Sequence, residues 1–104
     1  MLGRSHRFSF KRGAPKRIYQ TPLFVIRYEQ NDDKLHCAVV VGKKVDKRAV
    51  VRNRIKRKFN ETLRELLSLE LKYDLVFFVK KQILESEAEN TKNMLTKALK
   101  EINI

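Results

Sequence analysis

The sixteen residues from Lys43 to Lys58, KKVDKRAVVRNRIKRK, hold nine Lys or Arg and a single acid, Asp46. The run is also periodic, which limits what it can fold into. At about 100° per residue, Val51, Ile55, Phe59, Leu63, Leu66 and Leu67 fall in one arc, as in a helix with a buried apolar stripe. Asn53, Arg57, Asn60 and Arg64 fall on roughly the opposite arc, with Arg54 and Lys58 beside them. One side must pack against the rest of the chain, and the other presents guanidinium, ammonium and amide groups. Arg offers forked donors that suit phosphate oxygens, while Asn can pair with bases or sugars. The spacing predicts a helix from an N-cap at Asp46 to about Leu69, with a nucleic-acid face.

The formal net charge of +12 is unevenly placed. Residues 1–20 carry six basic residues and no acid, and the block 43–58 carries a local charge of +8. The segments 21–42 and 59–104 are each close to neutral, so the excess sits in two blocks, the footprint of a polyanion partner. A merely solvated charged face does not account for nine like charges in sixteen residues. They repel over distances comparable with the ~8 Å screening length, and only Asp46 compensates them locally.

A chain of 104 residues is one domain's worth, enough to bury roughly 60–65% of its unfolded surface. We expect a single RNA-binding domain over residues 1–104, with residues 1–16 as a basic arm. No run approaches 18 apolar residues, and residues 1–20 hold no apolar segment suited to a signal peptide. The expectation is a cytoplasmic protein with no membrane partner. Cys37, the only cysteine, lies in an apolar run and reads as a small buried hydrophobe.

In the arm, Gly13, Ala14 and Pro15 predict a turn. Phe8 and Phe10 either cap the core or stack on unpaired bases, with Arg7, Lys11 and Arg12 holding the backbone. Arg17–Gln20 suits a short edge strand. Leu23–Glu29 reads as a strand by its β-branched and aromatic content, with Phe24, Ile26 and Tyr28 on one face and Val25 and Arg27 on the other. QNDDK at 30–34 is a turn cluster, and Leu35–Val41, apolar on both faces, is the expected central strand, paired with its predecessor as a hairpin. His36 reads as a packed or partly exposed side chain. Tyr73–Val79 is a further strand, and Glu85–Glu101 a structural helix with Met94, Leu95, Ala98, Leu99 and Ile102 as its stripe. The predicted class is α+β, a small mixed sheet of about four strands. The long basic amphipathic helix crosses between central strands, which can lie parallel, and a C-terminal helix follows.

There is no Walker loop, HExxH, paired-cysteine zinc pattern or Gly-rich dinucleotide turn. Two His, one Cys and scattered acids do not assemble a nucleophile, base and orienting residue. We expect no catalytic residue and no metal ligand in this chain.

The paired lysines Lys43-Lys44 followed by Ala49-Val50-Val51-Arg52-Asn53-Arg54-Ile55-Lys56-Arg57, after a strand and before a second apolar strand, resemble the bacterial ribonuclease P protein component. The resemblance covers about Ile18 to Ile104. It implies the small subunit of a ribozyme that removes 5′ leaders from precursor tRNA. The RNA subunit and its Mg²⁺ carry the hydrolysis, and the protein alone is not catalytic and binds no cofactor. The implied partners are ribonuclease P RNA and precursor tRNA, with the isolated protein a monomer. RNA contact is expected from Lys43, Lys44, Lys47, Arg48, Arg52, Asn53, Arg54, Lys56 and Arg57, and leader contact from Phe8, Phe10, Tyr19 and Tyr28. Helical geometry keeps Arg52 near the apolar arc while Asn53 and Arg57 point outward. The resemblance also implies a left-handed strand–helix–strand crossover. The chain departs from the family in a first helix shortened or absent around His6–Gly13, and in Asn60 where further basic residues are common. Alternatives are a small ribosomal protein, which would recover ribosomal RNA and its neighbours, and a DNA-binding helix protein, which lacks the second short helix of a helix-turn-helix.

Overall fold

In the run Tyr73–Val79, Leu75, Val76 and Phe77 are all fully buried, so this strand needs cover on both faces and partners on both edges. The computed structural model describes residues 8, 13–102 and 104, and it pairs the strand on both edges; on the face away from the helices Val76 is buried while Phe78 stays partly exposed, so that face is open only toward one end. The elements are β1 (Arg17–Gln20), β2 (Phe24–Gln30), β3 (His36–Val40), α1 (Ala49–Leu66), β4 (Tyr73–Val79), a 3₁₀ helix (Lys81–Glu85) and α2 (Ala88–Glu101). The sheet order is β1-β2-β4-β3, with β1–β2 and β2–β4 antiparallel and β3–β4 parallel.

Two expectations give way here. The hairpin between the second and third strands does not form, because β4 inserts between them, and β3 lies at an edge rather than in the centre. The turn after β2 closes onto β4 instead. The Asn31 backbone N–H donates to the Lys72 carbonyl at 2.9 Å, and its side-chain amide donates to Asp74 Oδ1 at 2.8 Å. In β3 only Cys37 is buried, a pattern an edge tolerates. The Phe8 N–H donates to the Cys37 carbonyl at 3.1 Å, so Phe8 covers part of that exposed edge. Burial pushes the Cys37 thiol up to about 12, leaving it protonated and unreactive at neutral pH.

Both helices cover one sheet face. The registers put Tyr19, Ile26, Phe77 and Val39 in one row and Tyr28, Leu75 and Cys37 in the next, all on that face. Phe59 reaches down from α1 to meet Phe24 and Phe77, with ring centroids 5.6 and 5.5 Å apart. Leu63 and Leu67 follow it into the core, and Leu95, Ala98, Leu99 and Ile102 complete the core from the α2 side. The apolar stripes read from periodicity are therefore the packed faces, except at Val51, which stays outside the core. Lys92 of α2 pairs with Glu65 of α1 at 3.0 Å on the surface. β1 turns into β2 through Thr21, whose hydroxyl donates to the Phe24 carbonyl at 2.8 Å and accepts from the Phe24 N–H at 3.0 Å. At Gly13 φ is +87°, a conformation that glycine adopts without a Cβ penalty.

Both helices are shorter than their hydrophobic periods suggest. α1 begins at Ala49, three residues after the expected cap, and ends at Leu66. α2 begins at Ala88, because Lys81–Glu85 forms a separate 3₁₀ turn and Ser86 and Glu87 are extended.

Candidate nucleic-acid interface

Val41 and Val45 are both buried, and between them a turn closes with the Val45 N–H donating to the Gly42 carbonyl at 3.1 Å. With its ends pinned in the core, that turn holds Lys43 and Lys44 out in solvent. Asp46 does not cap α1. Its carboxylate accepts the Arg48 backbone N–H at 2.8 Å and the Arg48 guanidinium at 3.1 and 3.0 Å. The fork of Arg48 captures the oxygen that a cap would have aimed at the helix, and α1 starts without a side-chain cap or an acid in its first turn. Its N-terminal partial positive charge is thereby left uncompensated within the element.

The Arg48 fork, with further help from its backbone N–H, holds the Asp46 carboxyl down to about 2. A carboxyl depressed on folding stabilises the fold above its ordinary unfolded value near 3.9, and that contribution is lost as pH falls toward 2. An NMR titration should find the Asp46 midpoint near 2 and move it up toward its ordinary value in Arg48→Ala. An unmoved midpoint would contradict the pairing.

Arg52 is partly buried, and its Nη1 donates to the Asp46 carbonyl at 3.1 Å and the Lys47 carbonyl at 2.8 Å. This arginine clamps the linker into α1, and its place near the apolar arc is what allows it to reach back. Arg52→Ala should lower stability by about 1–2 kcal/mol, since hydrogen bonds from a charged donor are lost. It should change the salt dependence of RNA binding less than loss of an outward arginine. Thermal unfolding beside a salt titration separates the two effects.

Asn53, Arg54 and Arg57 are exposed, and Lys56 is partly exposed. The ion pairs among the described residues are His36 with Asp33 and Asp74, Arg48 with Asp46, and Lys92 with Glu65. Among those residues, then, Lys43, Lys44, Lys47, Arg54, Lys56, Arg57 and Lys58 have no carboxylate partner. Val50, 69% exposed, sits on the outer side of the same helix with Arg54 one turn on. Composition does not mark that residue, because an exposed apolar side chain looks like core until the helix phase is fixed.

The aromatic leader candidates are not brought together. Tyr19 and Tyr28 lie on the helix-covered face and pack against the core. The Tyr19 hydroxyl also donates to Glu101, whose carboxylate holds the phenol above its ordinary range. Both remain partly exposed. Phe8 is partly exposed beside the β3 edge. Phe10, Arg7, Lys11 and Arg12 lie outside the described residues, as does most of the expected first helix. The opposite sheet face carries a row that sequence reasoning missed, Gln20, Val25, Phe78 and Val40, one from each strand. The last three are partly exposed. Alternation along each strand held that signal, but the strand order needed to align the row was absent.

Comparison with known proteins decides the family. A family model described as ribonuclease P matches residues 2–103. The chain belongs to the ribonuclease P protein component family. The ribonuclease P protein component of Mycoplasma capricolum subsp. capricolum is 32% identical over 90 residues, 84% of this chain and 82% of that protein. Its counterpart in Marinomonas sp. strain MWYL1 is 33% identical over 82 residues, 79% of this chain and 62% of that protein. In that second case the chain spans less than two thirds of its relative. The solved RNase P protein of Staphylococcus aureus shares the fold, with a TM-score of 0.74 at 24% identity over 85% of this chain and 82% of that one. The RNase P protein of Thermotoga maritima does so with a TM-score of 0.61 at 22% identity, covering 78% and 82%. Ribonuclease P membership displaces the ribosomal-protein and DNA-helix alternatives. No helix among the described residues is long and apolar enough to cross a membrane.

Proposed function

We propose that this chain is the protein subunit of a ribonuclease P holoenzyme, binding the catalytic RNA and the 5′ leader of precursor tRNA while the leader is removed. The observation that carries the reading is the set of cations on α1 and the turn leading into it that have no carboxylate partner among the described residues. Lys43, Lys44, Lys47, Asn53, Arg54, Lys56 and Arg57 contact the RNA backbone directly. Arg48 and Arg52 act first on the protein's own linker, fixing the path by which α1 leaves the sheet.

The leader, a single strand, lies against the open sheet face, where Val25, Phe78 and Val40 offer apolar surface and Phe8 stands at the edge. Hydrolysis belongs to the RNA with its Mg²⁺, and the protein's residues bind and orient. The partners are RNA and precursor tRNA, and the protein acts in the cytoplasm as a monomer until it meets them.

The test adds purified protein to its cognate catalytic RNA at low Mg²⁺ and follows cleavage of a precursor tRNA. Stimulated cleavage at the mature 5′ end is expected, with none from protein alone. An absent stimulation, or cutting by the protein by itself, overturns the reading. If roughly six phosphates are engaged, log affinity should fall against log salt with a slope near −4 to −5.

A further inference from the structure

A groove of about 290 Å³ runs between α1 and the segment leading into α2. Its α1 wall is Val51, Ile55 and Phe59, and its far wall includes Ile83 and Leu84. Leu84 is 46% exposed, an apolar lip that neither helix covers. The α1 rim carries Arg54 and Lys58, both without a carboxylate partner among the described residues, and no acid lines the groove. At its other end Ser86 and Thr91 lie with their hydroxyl oxygens 3.2 Å apart.

We propose that this groove seats one unpaired nucleobase of the bound RNA, its phosphate held by Arg54 and Lys58. The proposal rests on the RNA-binding reading and deepens it. The size is at the lower end of the ~300–1,000 Å³ found for ligand clefts, which suits a single ring system. An apolar floor wastes contact with a bare phosphate but matches the apolar face of a base, whatever its identity. The two cations favour an anionic occupant, and they continue the cationic face of α1 on which the RNA backbone lies. The Ser86 and Thr91 hydroxyls reach the Glu87 carbonyl at 3.2 and 3.3 Å, and their oxygens can still accept from the edge of a base. Glu85, Glu87 and Glu89 follow in sequence on that side, so the phosphate belongs at the α1 rim and an exocyclic amine at the other. The site is separate from the open sheet face, since α1 covers the opposite one.

The full chain, labelled at its methyl groups, is titrated with the ribotrinucleotide pApApA, with the same sugar-phosphate backbone lacking bases, and with inorganic phosphate. Methyl signals of Val51, Ile55, Ile83 and Leu84 should shift with pApApA and not with the other two. Leu84→Glu, at an exposed position, should weaken pApApA by at least tenfold. It should weaken the catalytic RNA by about tenfold or less and leave its salt slope intact, because no cation is removed. Silent groove methyls in a protein that still binds catalytic RNA overturn the groove alone. Equal shifts with the abasic strand reduce the site to a phosphate contact and overturn it too. Leu84 shifts that depend on protein concentration without RNA assign the groove to a second copy, with the same consequence. Failure of the unaltered protein to bind catalytic RNA overturns both readings.

Discussion

Replacing Arg54 and Arg57 together with alanine should weaken binding to the catalytic RNA by roughly 30-fold or more, at about 1–3 kcal/mol per guanidinium and tenfold per 1.4 kcal/mol. Both side chains are exposed on the outer side of α1, and neither meets a carboxylate among the described residues. Their whole electrostatic interaction is therefore available to a partner. Removing two phosphate contacts should also make the salt slope shallower by about 1.4–1.8. The fold should not suffer. Surface changes away from packing cost within about 0.5 kcal/mol, and loss of two like charges from a crowded helix relieves repulsion. A melting temperature that is held or raised, together with lost affinity, is the expected pair of results from calorimetry and filter binding. Unchanged affinity in a folded double variant would remove the outer face of α1 from the interface.

The largest effect on stability is expected at Phe59. Phe59→Ala should cost about 3–5 kcal/mol, the range for deleting a buried aromatic side chain and leaving a cavity. Phe59 is almost completely buried and meets both Phe24 and Phe77, so the change also removes two ring contacts of about 0.5–1.5 kcal/mol each, part of that total. Set against about 5–15 kcal/mol for a domain, that is a large share. Denaturant unfolding would measure it. Because Phe59 is the main tether of α1 to the sheet, RNA affinity should fall only as far as the folded fraction falls. Phe59→Leu, which keeps much of the apolar volume, should recover part of the stability. A Phe59→Ala variant with unfolding unchanged would mean that α1 is held by its ends.

The two substitutions act on opposite sides of one helix, and that division was legible in the sequence. The 3.6-residue period in Val51, Ile55, Phe59 and Leu63 fixes which side packs, whatever it packs against. The tip lysines were equally plain, since a glycine after an apolar strand ends it. Strand order was not. Leu35–Val41 and Tyr73–Val79 are similar apolar runs, and local pattern cannot say which takes the middle. The insertion of β4 beside β2 is a long-range pairing, decided by which strand needs cover on both faces. The tyrosines show a conflict that was already present. Alternation put Tyr28 with Phe24 and Ile26, a core face, and the resemblance alone suggested it for the leader. The start of α1 was misplaced for a local reason, the capture of Asp46 by Arg48. The role of Arg52 was half legible. Its angle near the apolar arc was clear, but its carbonyl partners depend on the path of the linker from β3.

In the proposed complex the cationic side of α1 and its entry turn grip the catalytic RNA. Lysine footprinting of the full chain, with and without that RNA, tests it most directly because the chain carries its own controls. Lys43, Lys44, Lys47, Lys56 and Lys58 should lose reactivity on RNA binding, while Lys72, Lys92, Lys97 and Lys100 keep theirs. Protection of the second group with the first still reactive would contradict the account.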